Sequence, residues 1–127
     1  MQEEKKKLIL VIDDNDFYHA TAKLILKDTY NIITAQSGKE AIEYLQDGNN
    51  RLPDLILLDI VMPDMDGWLA YNSIRKIDTA KDIPVAIVSS VGGTTATNHA
   101  HSVGVADFIS KPYNKNDLLE RISKIIH

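Results

Sequence analysis

Apolar residues along this chain gather in short unbroken runs rather than alternating with polar ones. Leu8-Ile9-Leu10-Val11-Ile12, Leu55-Ile56-Leu57-Leu58, Val85-Ala86-Ile87-Val88 and the weaker Ala106-Asp107-Phe108-Ile109 each suit a strand covered on both faces, as in a parallel sheet. Ile32-Ile33-Thr34-Ala35, β-branched and bounded by Asn31 and Ser37, is a fifth candidate. Between the runs the spacing turns helical. Phe17, Ala20 and Leu24 fall at helical intervals after Asp14-Asn15-Asp16, a cluster suited to cap a helix. Ser37-Gly38-Lys39-Glu40 reads as a capping box ahead of Ala41, Ile42 and Leu45. Asp66 and Gly67 precede a third helix over residues 68–77, and their simplest reading is a cap for it. A fourth helix, over 94–102, holds several poor helix formers and is expected to be the least stable. Asn114 can cap a fifth, whose Leu118, Ile122, Ile125 and Ile126 form an apolar stripe.

The order is strand then helix, five times over. Parallel neighbours need crossover helices, and such crossovers are right-handed. The expected fold is therefore an α/β, doubly wound, five-stranded parallel sheet in the order 2-1-3-4-5, with five helices on its two faces. A length of 127 residues fits a single domain over 1–127, with residues 1–7 as a charged lead. The net charge is −4 and no basic stripe is present, which argues against direct nucleic-acid binding. The absence of cysteine removes disulfides and thiolate metal sites. No apolar run approaches the ~20 residues that span a bilayer, and the lead lacks the apolar core of a signal sequence. The expectation is a soluble, cytoplasmic protein with no membrane attachment.

In open sheets of this kind, ligands sit beyond the carboxyl ends of the strands where the strand order reverses. The first strand ends in Asp13-Asp14, the third in Asp59, the fourth in Ser89 and the fifth in Lys111-Pro112. Carboxylates gathered there repel, by ~4 kcal/mol for two charges ~4 Å apart at an effective dielectric of 20. Lys111 alone does not balance three. An all-oxygen site of this sort suits Mg²⁺, and a carboxylate within it can accept a phosphoryl group as an acyl phosphate.

These residues, together with the run Asp59-Ile60-Val61-Met62-Pro63-Asp64-Met65-Asp66-Gly67, resemble the receiver domain of two-component response regulators (CheY-like, with a flavodoxin-like fold). The resemblance covers the chain from Leu8 onward. It implies that Asp59 is the phosphorylation site and that Asp13, Asp14, Asp59 and the backbone carbonyl of Val61 hold Mg²⁺. Ser89 and Lys111 would stabilise the phosphoryl group. Ser89 and Phe108 would act as the switch pair, and Pro112 would follow a cis peptide bond. The implied donor is a sensor histidine kinase or phosphotransfer protein. The implied output is a downstream protein target met by the surface of the fourth helix, fifth strand and fifth helix, and a phosphorylation-dependent homodimer is also compatible. Such a module assists its own phosphorylation and dephosphorylation but turns over no separate small molecule.

Plainer readings exist for each residue. Asp13-Asp14 alone could be a solvated helix cap, Lys111 a loop cation and Phe108 a core aromatic. His99 and His101, two apart on a helix, do not share a face and make poor joint metal ligands. A phosphatase of the haloacid-dehalogenase type would place an Asp two residues after its nucleophile, where this chain has Val61. A flavin binder would want a small, uncharged loop after the first strand, where Asp14-Asn15-Asp16 would repel a phosphate. A receiver that only scaffolds would lack part of the acidic site, and none is missing. Val61 and Val91 are apolar positions flanking the phosphoryl group in receivers, and they predict slow hydrolysis of it.

Overall fold

The unbroken apolar runs become β1 (Leu8–Ile12), β3 (Leu55–Asp59) and β4 (Val85–Ser89), each buried along its whole length. Each run is divided between two faces by the pleat. Leu10, Ile12, Ile56, Leu58 and Ile87 join one core layer, while Ile9, Val11, Leu55, Leu57, Ala86 and Val88 join the other. The outer strands β2 (Asn31–Ala35) and β5 (Asp107–Ser110) are only partly covered. All four pairings are parallel and the order is β2-β1-β3-β4-β5, as expected from the sequence. The computed structural model describes residues 6–60, 67–90 and 104–126.

Four helices lie among the described residues: α1 (Asp16–Leu26), α2 (Gly38–Gln46), α3 (Gly67–Arg75) and α4 (Lys115–Ile125). The fourth helix expected from the sequence, over 94–102, falls outside them, so α4 is the helix predicted as the fifth. Three capping expectations match what is seen, and Asp66, expected with Gly67 to cap α3, lies outside the described residues. Asn15 accepts from the Phe17 N–H, Ser37 from the Glu40 N–H and Asn114 from the Asp117 N–H, each satisfying a donor that the first helical turn leaves open. Ala41, Leu45, Ala70, Tyr71 and Ile74 of α2 and α3 close one core layer. Ala22, Leu26, Leu118 and Ile122 of α1 and α4 close the other.

One helix sits differently from its sequence reading. Phe17 and Leu24 are 66% and 69% exposed and Ala20 is exposed too, whereas His19, Ala22 and Leu26 are buried. α1 carries apolar residues around most of its circumference, so periodicity offers two faces. The path out of β1 selects between them. The Asp13 N–H continues the sheet pairing to Ala35 O at 3.0 Å, and Asn15 caps the helix two residues on. Those two fixings rotate Phe17 and Leu24 outward.

Candidate functional site

The strand ends converge at the carboxyl edge of the sheet. The Ile60 N–H bonds to Val88 O at 3.3 Å and the Lys111 N–H to Ser89 O at 2.9 Å, which extends the pairing past β3 and β5. Asp13, Asp59 and Ser89 are the buried polar residues of this edge, at 1%, 5% and 1% exposure, whereas Asp14 faces solvent. One ligand oxygen from each of Asp13, Asp14 and Asp59 falls within 4.8 Å of the other two. Lys111 Nζ donates a 3.1 Å hydrogen bond to Asp59 Oδ2 and lies 2.6 Å from Asp13 Oδ2.

At 2.6 Å the Lys111 ammonium and the buried Asp13 Oδ2 form a tight ion pair. The other oxygen of Asp13 accepts from the Asn15 N–H at 3.0 Å. Burial opposes the Lys111 charge, but Asp13 and then Asp59 more than offset it and hold the ammonium above the usual lysine range. Two buried carboxylates against one buried cation still leave an excess negative charge. A hard cation with oxygen ligands fits that excess, and one oxygen from each of Asp13, Asp14 and Asp59 comes close enough to share it. The donor set thus suits Mg²⁺, which Asp13, Asp14 and Asp59 would hold through their side chains. The carbonyl of Val61, expected as a further ligand, lies outside the described residues.

Ser89 stands one residue beyond Val88, the register partner of Asp59. Phe108 pairs in register with Ile87 and packs, half-buried, against the core layer beneath α2 and α3. The Lys111–Pro112 peptide bond is cis.

Two features of the site were not read from the sequence. An aromatic wall stands beside Lys111: the Tyr18 ring centroid is 3.9 Å from Nζ, and Tyr113 meets Tyr18 edge-on at 5.8 Å. Burial, then the charges of Asp13 and Asp59, push the Tyr113 phenol far up, so it stays neutral. The second is Gly67. Its N–H bonds to Ile60 O at 3.1 Å, and a Cβ there would stand 2.1 Å from Ile60 Cα and 2.7 Å from Asp59 O. Only glycine lets α3 begin this close to the backbone of Asp59. Gly67→Ala should therefore lower stability by about 3 kcal/mol, as overpacking against backbone does, and urea unfolding would show it. A variant as stable as the parent would mean that the start of α3 shifts freely.

A doubly wound parallel α/β sheet with three carboxylates and a lysine gathered at its reversal point places the chain in the flavodoxin-like class of folds. The chain belongs to the response regulator receiver domain family, whose sequence model matches residues 9–123. It is CheY-like and is a module of two-component signalling rather than a metabolic enzyme. Chemotaxis protein CheY of Bacillus subtilis is 32% identical over 121 residues, covering 94% of this chain and 97% of that protein. Histidine kinase P4 of Formosa agariphila is 32% identical over 98% of this chain, but the chain spans only 9% of that protein's length. It likewise spans 16% of the rice two-component response regulator-like PRR37. Among solved structures, the non-phosphorylated HemR receiver domain of Leptospira biflexa superposes with a TM-score of 0.81 at 30% identity, covering 95% of this chain and 94% of that one. Vibrio cholerae CheY4 shares the fold at a TM-score of 0.85 and 24% identity, covering 95% and 99%. Among the described residues, no helix is long and apolar enough to cross a membrane.

Proposed function

We propose that the chain is a phosphoryl-accepting switch in which Asp59 is the acceptor. The observation that carries this reading is a buried carboxylate at a strand end, hydrogen-bonded to Lys111 at 3.1 Å and grouped with Asp13 and Asp14. An Asp59 carboxylate oxygen attacks the phosphorus of a phosphohistidine on a kinase or phosphotransfer protein. The new P–O bond forms as the P–N bond breaks, and its electron pair leaves on the imidazole nitrogen. Positioning and charge neutralisation supply the catalysis. Lys111 balances charge at the transferring group, and Ser89 hydrogen-bonds one of its oxygens. Mg²⁺, when bound by Asp13, Asp14 and Asp59, adds further neutralisation.

A covalent charge at Asp59 shifts the conformational equilibrium only as far as one state satisfies it better. In this reading Ser89 draws toward the phosphoryl group, Phe108 turns into the space released, and the surface of β5 and α4 changes its partner. Phe17 and Leu24, exposed on the helix that opens beside the crevice, offer apolar contact to a protein donor.

The test is to treat the protein with acetyl phosphate and Mg²⁺ and map the product. A single label on Asp59, lost to alkali and hydroxylamine as an acyl phosphate must be, supports the reading. A label that survives, or that sits on a serine or histidine, overturns it. The metal half has its own check. Asp14→Asn and Asp59→Asn should each weaken Mg²⁺ binding, read by calorimetry, on the order of tenfold or more. Parent-like affinity in both would place the metal elsewhere.

A further inference from the structure

We infer that Tyr18 is a positioning residue for Lys111, acting through the face of its ring; this rests on the reading of Asp59 as phosphoryl acceptor. Lys111 Nζ sits 3.9 Å from the Tyr18 centroid, well within the ~6 Å over which a ring quadrupole attracts a cation. The lysine side chain is 5% exposed, so little water weakens that attraction. Tyr18 is itself held. Its N–H bonds to Asn15 O at 3.1 Å in the capped first turn of α1, and its ring is braced edge-on by Phe17 at 5.3 Å and Tyr113 at 5.8 Å. The bracing also ties the wall to the acidic site, because the Asn15 N–H bonds Asp13 Oδ1 at 3.0 Å.

The ring differs in kind from the other partners of the ammonium. Asp13 and Asp59 hold Lys111 by charge, and Asp59 is the group whose charge the reaction redistributes. Once Asp59 carries a phosphoryl group, its negative charge has moved out to the phosphoryl oxygens. Lys111 would then keep Asp13 as its carboxylate partner, and that ion pair alone fixes its distance from Asp13 but not its position toward Asp59. A neutral ring face neither binds a divalent cation nor accepts phosphoryl, so its pull on the ammonium persists throughout. Tyr18 thereby keeps Lys111 within reach of the transferring group while its ionic partner Asp59 changes. The face of the ring carries this role and the hydroxyl does not, which separates Tyr18→Phe from Tyr18→Leu.

The experiment compares parent, Tyr18→Phe and Tyr18→Leu for the rate of labelling by acetyl phosphate with Mg²⁺, and for the NMR shift of the Lys111 ε-methylene protons. Protons over a ring face are shielded. The parent and Tyr18→Phe should show upfield Lys111 signals and similar rates. Tyr18→Leu should lose the upfield shift and label about 3- to 30-fold more slowly, the range a cation–π contact provides. Labelling of Tyr18→Leu at the parent rate, or an unshifted Lys111 in the parent, overturns the role; the second readout needs no variant to fold. A rate lost equally in Tyr18→Phe, with its Lys111 shift intact, also overturns it. If the parent takes no label at all, the acceptor reading falls and this role with it. If the parent labels and Tyr18→Leu matches it, only the role of Tyr18 falls.

Discussion

Asp59→Asn should take up no phosphoryl group from acetyl phosphate and Mg²⁺ under conditions where the parent is labelled, as read by intact mass. A carboxamide is neutral and its nitrogen lone pair is delocalised into the carbonyl, so it lacks the anionic oxygen that attacks phosphorus. The substitution should achieve this without unfolding the protein. Asp13 and Asp59 share one buried ammonium, and replacing Asp59 leaves a balanced Lys111–Asp13 pair in place of an excess negative charge. Stability equal to or above the parent, with labelling lost, is the expected combination. Residual labelling in the variant would point to a different acceptor.

Lys111→Met should have the opposite effect on stability. Methionine fills similar volume, but it leaves two buried carboxylates facing each other with no cation. Breaking a buried pair from one side costs about 3 kcal/mol or more, and urea unfolding would register it. Mg²⁺ should then stabilise the variant more than it stabilises the parent, because the metal supplies the missing positive charge. Equal stability of variant and parent without metal would mean that the ammonium does not balance these carboxylates. The pH dependence follows from the sign of the Lys111 shift. Its folded pKa is raised, so its contribution is fully present below the ordinary lysine pKa and is lost only as the pH rises through the higher folded value. Through the neutral range the lysine's contribution should be flat.

Much of this was legible in the sequence because strands buried on both faces leave so plain a trace. Leu8–Ile12 and Val85–Ser89 could belong to little else than the interior of a parallel sheet. The polar residue closing each run then marked the working edge. The two aspartates at the end of β1 were equivalent on paper, yet they differ in the structure. Asp13 is buried against Lys111, and Asp14 stands in solvent. Local sequence cannot tell them apart, since the distinction depends on which way the chain turns into α1. The same turn decided the exposed face of that helix and brought Tyr18 over Lys111 from 93 positions away in the chain. Gly67 was readable as a helix cap, but its nearness to the Asp59 backbone is a fact of packing.

The uneven burial of the sheet has a mechanical consequence. β1, β3 and β4 are enclosed over all five of their residues, while β5 is only partly covered and joined to α4 through Arg121, which bonds Asp107 at 2.9 Å and Asp117 at 3.0 Å. Amides in the middle of the three inner strands open to solvent only when the whole domain unfolds, whereas a strand at the margin opens at lower free energy. Of the two margins, β5 is the one whose end reaches Asp59, through Lys111. A force applied at Asp59 therefore meets a stiff slab beneath it and a compliant rim to one side, and the rim is what yields.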